Sequence, residues 1–256
     1  MKITKIQKMR SGKYKIEFDH HEKITTYDEV ILKNNLLYKK EIDCELLNQL
    51  VKDTAAYDGY DKAVRYIATK MRSEKEIKAY LSKYNIPEDE QEKIIQKLKE
   101  NDLLNERNYI RAFVADKVNL SNMGPYQIRR ELENHNMDSD MISQELSQYD
   151  ACVFEEKLRK LILKKVASDH KHSKFQLQQK LTQECINLGY EKEQINRVLD
   201  SISYSDEDTL EKEFQSLYHK LAKKYQGKDL QMHLKNKLYQ KGFSLSAIQE
   251  QMEKIE

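Results

Sequence analysis

The sequence has no tryptophan, two prolines and six glycines in 256 residues, and helix breakers this scarce leave long helices free to form. The glycines stand singly at 12, 59, 124, 189, 227 and 242, so no glycine-rich phosphate loop is possible. Cysteine is rare as well. Cys44, Cys152 and Cys185 lie far apart with no Cys-x-x-Cys pair, which argues against a disulfide framework and against a thiolate zinc site. No run of about 18 apolar residues is present to span a membrane, and the opening MKITKIQKM lacks the apolar core of a signal peptide. A cytoplasmic protein without membrane contact is expected.

An excess of one charge sign is also missing, because 45 Lys and Arg face 43 Asp and Glu for a formal net of +2. No global field follows, and any nucleic-acid contact must use a local stripe. Neither GxSxG nor HExxH occurs, and no histidine and cysteine share a recognisable local context. The histidines of His20-His21 and His170-x-His172 lack a Cys or carboxylate partner at metal spacing and read as solvated loops. A non-enzyme with no cofactor and no metal is expected.

Charged residues, in contrast, make up 34% of the chain, which suits solvated helical faces. Residues 1 to 27 keep a different rhythm: Tyr14, Ile16 and Phe18 alternate with Lys13, Lys15 and Glu17, the period of a half-buried strand. Arg10-Ser11-Gly12 supplies a turn before it and Asp19-His20-His21-Glu22 one after it, leading into Ile24 to Tyr27, so a three-strand meander is expected. From Asp28 the period becomes helical, with Asp43 as N-cap of a helix carrying Leu46, Leu47, Leu50 and Val51.

The helical part repeats itself. Leu81, Leu132, Leu181 and Leu238 recur at spacings of 51, 49 and 57 residues, the length of a three-helix unit. They precede Tyr84-Asn85-Ile86, His135-Asn136-Met137, Leu188-Gly189-Tyr190 and Lys241-Gly242-Phe243, the third after a four-residue insertion. Asn or Gly at the centre is what a left-handed helix stop requires. Six residues past it come Ile142, Ile195 and Ile248, with Leu146, Leu199 and Met252 one turn on; the first unit inserts three residues before Ile94 and Leu98. Leading helices carry Ala63, Tyr66 and Ile67, then Tyr109, Ile110, Phe113 and Val114, then Phe154, Leu158, Leu161 and Ile162, then Leu210, Phe214, Leu217 and Leu221. Ser73-Glu74-Lys75-Glu76 reads as a capping box, Gly124-Pro125 as the same boundary one unit later, and Ser205-Asp206-Glu207-Asp208 as a helix cap.

The expected fold is mainly α: an elongated array of tandem three-helix repeats behind a small N-terminal β meander. The expected divisions are 1–55 for the β unit and linking helices, then repeats at 56–100, 101–150, 151–203 and 204–256. Each repeat alone buries little core, so neighbours are expected to lean on one another.

At this point the residues carry a resemblance. Ala63-Val64-Arg65-Tyr66-Ile67 leading to Arg72-Ser73-Glu74-Lys75-Glu76-Ile77, then Asn101-Asp102-Leu103-Leu104-Asn105-Glu106-Arg107-Asn108-Tyr109, then Gly124-Pro125-Tyr126-Gln127-Ile128-Arg129-Arg130-Glu131-Leu132, resembles the RecX family signature, best over residues 60 to 146. The chain departs from it at Asn105 to Tyr109, where the family shows an acidic pair followed by Glu-Arg-Tyr. The resemblance implies a cytoplasmic regulator that binds the RecA-DNA filament and inhibits strand exchange, ATP hydrolysis and co-protease activity. A monomer is expected.

Basic residues near the repeat boundaries are the candidates for RecA or DNA contact: Arg65, Arg72, Arg129, Arg130, Lys164 and Lys165. The plainer reading is that such cations complement helix C-termini and cover solvent faces. The sixteen tyrosines likewise read first as core and only second as stacking platforms. The runner-up function is a DNA-binding array of helix-turn-helix-like units with weak affinity for single- or double-stranded DNA.

Overall fold

The computed structural model describes residues 1–19 and 22–254. The turn expected at His20-His21 therefore lies outside the described residues. The β meander is present as β1 (Ile3–Lys8), β2 (Tyr14–Phe18) and β3 (Lys23–Thr26), antiparallel in the order β1-β2-β3. Gly12, at φ +82°, turns the chain between β1 and β2, where the Met9 amide donates to Lys13 O at 2.8 Å. The alternation works as expected: Ile16 and Phe18 are buried against Val30, Ile31, Leu36 and Leu50, while Lys15 and Glu17 point the other way.

Helices follow: α1 (Asp28–Lys33), α2 (Cys44–Thr69), α3 (Glu74–Ser82), α4 (Glu88–Glu100), α5 (Glu106–Leu120), α6 (Pro125–Asn134), α7 (Ser139–Leu146), α8 (Ala151–Ser168), α9 (Lys174–Asn187), α10 (Lys192–Asp200), α11 (Glu207–Leu221), α12 (Gly227–Gln240) and α13 (Leu245–Glu253). None is long and apolar enough to cross a membrane. Contacts gather into two compact units, Met1–Tyr109 and Ile110–Glu256. In the first, α2 packs on α3 and α4 and also reaches β3, since it runs unbroken from Cys44 to Thr69. In the second, α8 packs with α9 and α10, and α11 with α12 and α13.

Local chemistry explains the element ends. Asp43 accepts from the Leu46 amide at 2.7 Å, and Ser73 with Glu76 forms the reciprocal capping box, at 3.2 and 2.9 Å. Pro125 sits in the first turn of α6 behind Gly124, where its missing N–H costs nothing. The four helix stops fold as one device. Asn85, Asn136, Gly189 and Gly242 have φ of 56°, 59°, 87° and 84°. The amides of Ile86, Met137, Tyr190 and Phe243 return to the carbonyls of Leu81, Leu132, Cys185 and Leu238 at 3.4, 3.2, 3.1 and 3.3 Å.

Two details differ from the sequence reading. In the third stop the acceptor is Cys185, not Leu181, because the four-residue insertion adds one turn to α9 and moves Cys185 into the leucine's place; both side chains are buried. The acidic run 205–208 does not cap α11 through Asp206, whose carboxylate instead accepts from the Lys174 amide at the start of α9 at 2.6 Å. Ser205 Oγ takes the Glu207 amide in its stead. The plain separation of sequence neighbours hid this, since Asp206 serves a helix 32 residues upstream.

Burial separates the three thiols. Cys185 is fully buried, and burial pushes its pKa up to about 11, while Cys44 and Cys152 are exposed. Tyr190 beside it, with a buried hydroxyl lacking a partner, is pushed up to about 12, again by burial. An aromatic disulfide reagent at pH 8 is expected to titrate two thiols rapidly and the third only on unfolding. Both groups must also make the fold alkali-sensitive. Above pH 9 the unfolded chain ionises them first, so stability declines as pH rises from 9 through 11 to 12, by about 2 kcal/mol for each group. Flat stability over that window in denaturant titrations, or three equally fast thiols, would contradict this placement.

Candidate partner-binding surface

The six basic candidates have different surroundings. On α2, Arg65 pairs with Asp61 one turn back at 3.1 Å but remains 74% exposed, a solvated pair of small energetic weight. Arg72, in the link from α2 to α3, is held in place. Its guanidinium lies over the Tyr66 ring at 4.0 Å, its Nη1 donates to Glu76 Oε1 at 3.3 Å, and only 18% of its side chain is exposed. Its Nε is buried without a hydrogen-bond partner. Tyr66 stacks in turn on Tyr80 of α3, with centroids 4.1 Å apart and planes within 4°. Tyr80 meets Tyr84 edge-on, and the hydrogen bond between their hydroxyls, with burial, raises the Tyr80 pKa. These rings stack on each other and on Arg72, so the plainer packing reading of the tyrosines holds here.

In the second unit, Arg129 on α6 uses both Nη1 and Nη2 to reach Ser143 Oγ of α7, at 3.0 and 3.1 Å. Its neighbour Arg130 is exposed, as is Lys164 on α8. Lys165 crosses instead to Glu184 of α9 at 2.5 Å. That bond has a counterpart: Lys117 of α5 pairs with Glu131 of α6 at 3.1 Å. Glu131 and Glu184 each directly precede Leu132 and Cys185, whose carbonyls accept the returning amide of the stop, and Tyr80 holds the same place before Leu81. One position thus ties a leading helix to its second helix in each case, by an ion pair twice and by the Tyr66–Tyr80 stack once. Lys157 of α8 is desolvated by burial, which lowers its pKa, and it donates to Lys117 O at 3.3 Å.

The start of α6 is fixed by a joint that the sequence did not announce. Gly124 N donates to Leu188 O at 2.7 Å and Tyr126 N to Gly189 O at 3.2 Å, while the Tyr126 hydroxyl donates to Glu191 at 2.6 Å. One triplet later the arrangement recurs, as Ser173 Oγ at the start of α9 donates to Lys241 O beside Gly242 at 2.7 Å. In both joints a second helix of one triplet begins on the helix stop of the next. Arg129 and Arg130 ride on the helix anchored this way, so their positions are set by backbone contacts.

This architecture meets known proteins. Residues 60–98 match the family profile described as RecX, first three-helix domain, which spans the end of α2 together with α3 and α4. Over 254 residues the chain is 30% identical to the Regulatory protein RecX of Streptococcus gordonii, with 97% of each chain covered. The chain belongs to the RecX family. The RecX protein of Oceanobacillus iheyensis is 28% identical over 259 residues, covering 96% of this chain and 95% of that one. A crystal structure of a regulatory protein RecX shares the fold, at a TM-score of 0.68 and 24% identity over 78% of this chain and 100% of its own. The crystal structure of RecX from Lactobacillus salivarius superposes at a TM-score of 0.50 with 29% identity, over 57% of this chain and 97% of its own. In this RecX-family chain the Arg72-Ser73 and Gly124-Pro125 motifs are both helix starts, and neither presents a pair of free cations.

Proposed function

We propose that this RecX-family chain is a regulator that binds the RecA nucleoprotein filament as a monomer in the cytoplasm and inhibits its recombinase, ATPase and co-protease activities. The observation that carries the reading is its similarity, along nearly the whole chain, to a protein named Regulatory protein RecX. In this reading the helix triplets act as four repeats, at 56–100, 101–150, 151–203 and 204–256, each offering its exposed cations to the acidic and phosphate groups of the filament. Among the six basic candidates, Arg65, Arg130 and Lys164 are exposed and serve contact, Arg65 while also pairing with Asp61. Arg72 and Lys165 act within their own triplets.

The reading is tested by co-sedimentation with RecA filaments preassembled on single-stranded DNA. The native chain is expected in the pellet, and an Arg130→Ala/Lys164→Ala variant of unchanged helicity is expected to bind at least tenfold more weakly, the scale for two charge contacts. Loss of the chain from the pellet at saturating filament would overturn the reading. Equal binding of the variant would remove those two residues from it. An Arg72→Ala variant is unsuitable for this purpose, because it removes the guanidinium from the Tyr66 ring and from Glu76 and so perturbs the packing of its own triplet together with any contact.

A further inference from the structure

The charge of this nearly neutral chain is not evenly spread. Residues 1–27 hold Lys2, Lys5, Lys8, Arg10, Lys13, Lys15 and Lys23 against Glu17, Asp19 and Glu22, a net of +4, which leaves −2 for the other 229 residues. Strand register decides where that charge goes. Lys5 and Gln7 of β1 lie opposite Glu17 and Lys15 of β2, which lie opposite Lys23 and Thr25 of β3. Ile6, Ile16 and Ile24 form the intervening row and pack toward the core. The outer face of the sheet is thus Lys5, Lys15 and Lys23 around Glu17, with Gln7 and Thr25, and no apolar side chain.

Glu17 does not neutralise this face. Its carboxyl is held below the usual range by the hydrogen bond from Lys15, and Lys23 and Lys5 add to the effect. Three ammonium groups therefore share one carboxylate. Beside β1 the chain returns: Ile3 N donates to Lys40 O at 2.9 Å and Lys2 bridges Glu41, so the exposed Lys39 and Lys40 flank the same edge. Next to them Tyr38 is 88% exposed, the most open of the large hydrophobic residues among those described.

We propose that this outer sheet face binds the phosphodiester backbone of a single-stranded nucleic acid, with Tyr38 stacking on a base at its edge. Charge complementarity names the ligand as a polyanion. The side chains then choose between polyanions. A protein interface needs an apolar or aromatic centre and is depleted in lysine, whereas this face is lysine with hydroxyl and amide groups. Those are the groups that hold phosphates, and a lone exposed ring beside a cationic track is how single strands are gripped. The site is distinct from the basic residues of the helices and does not rest on the RecA reading.

The test is fluorescence anisotropy of a labelled oligothymidylate with the full-length chain, without recombinase, over 0.05 to 0.5 M NaCl. Lysine contacts to a single strand contribute about 0.7 each to the salt slope, so a Lys5→Gln/Lys15→Gln/Lys23→Gln variant is expected to lower the slope by about 2 and to bind roughly a hundredfold more weakly at 0.1 M salt. Tyr38→Ala is expected to weaken binding roughly tenfold with the slope unchanged. Circular dichroism confirms that each variant is folded. Equal affinity and slope for the folded triple variant overturn the proposal, as does tighter lysine-dependent binding to polyglutamate than to the oligonucleotide.

Discussion

Replacing Gly189 by alanine is expected to cost about 3 to 5 kcal/mol, the largest effect of any single methyl group in this chain. Two costs combine. At φ +87° an L side chain pays for the left-handed conformation, and its Cβ would stand 2.2 Å from Gln127 N and 2.7 Å from Gln127 Cβ. Relief requires the start of α6 to withdraw from the stop of α9, which breaks the bonds from Gly124 N to Leu188 O and from Tyr126 N to Gly189 O. Gly12→Ala is the control, since Gly12 has a similar φ of +82° but nothing within 4 Å of the added methyl, and about 1 kcal/mol is expected there. Urea unfolding of the two variants measures the difference. Equal losses would show that the joint between α6 and α9 is not closed in solution.

Phe214→Ala is expected to cost about 3 to 5 kcal/mol by removing a large side chain that cannot be replaced from nearby. Phe214 is 2% exposed and lies among Leu210, Leu221, Leu234, Leu238, Phe243 and Ile248, the residues that hold α11, α12 and α13 together. Phe175→Ala is the matched comparison. Phe175 is 55% exposed, and its loss is expected to change stability by less than about 1 kcal/mol. If both variants unfolded at the same denaturant concentration, the core assigned to these three helices would be wrong.

The helix stops were legible from sequence because a left-handed residue leaves few choices. Asn85, Asn136, Gly189 and Gly242 all adopt it, and the hydrophobe after each folds back as the pattern required. Caps were legible where the capping side chain is local, as at Asp43 and Ser73. What the sequence hid is long-range. Asp206 reaches Lys174 N, Gly124 meets Leu188, and Ser173 meets Lys241 O, each across 32 to 68 residues, and no local period records such contacts. The same holds for the candidate surface. The six cations stand out by their places near the repeat boundaries, but whether a cation is free depends on partners elsewhere. Arg72 is taken up by Tyr66 and Glu76, and Lys165 by Glu184. The significance of the sheet lysines lies in register, which puts Lys5, Lys15 and Lys23 on one face only once three strands are paired.

The rate of ATP hydrolysis by RecA on single-stranded DNA, followed as this chain is added, tests the proposed function most directly. The rate is expected to fall at substoichiometric amounts of the chain, because a contact with a filament affects many RecA subunits. An unchanged rate with a folded sample in excess over RecA would contradict it.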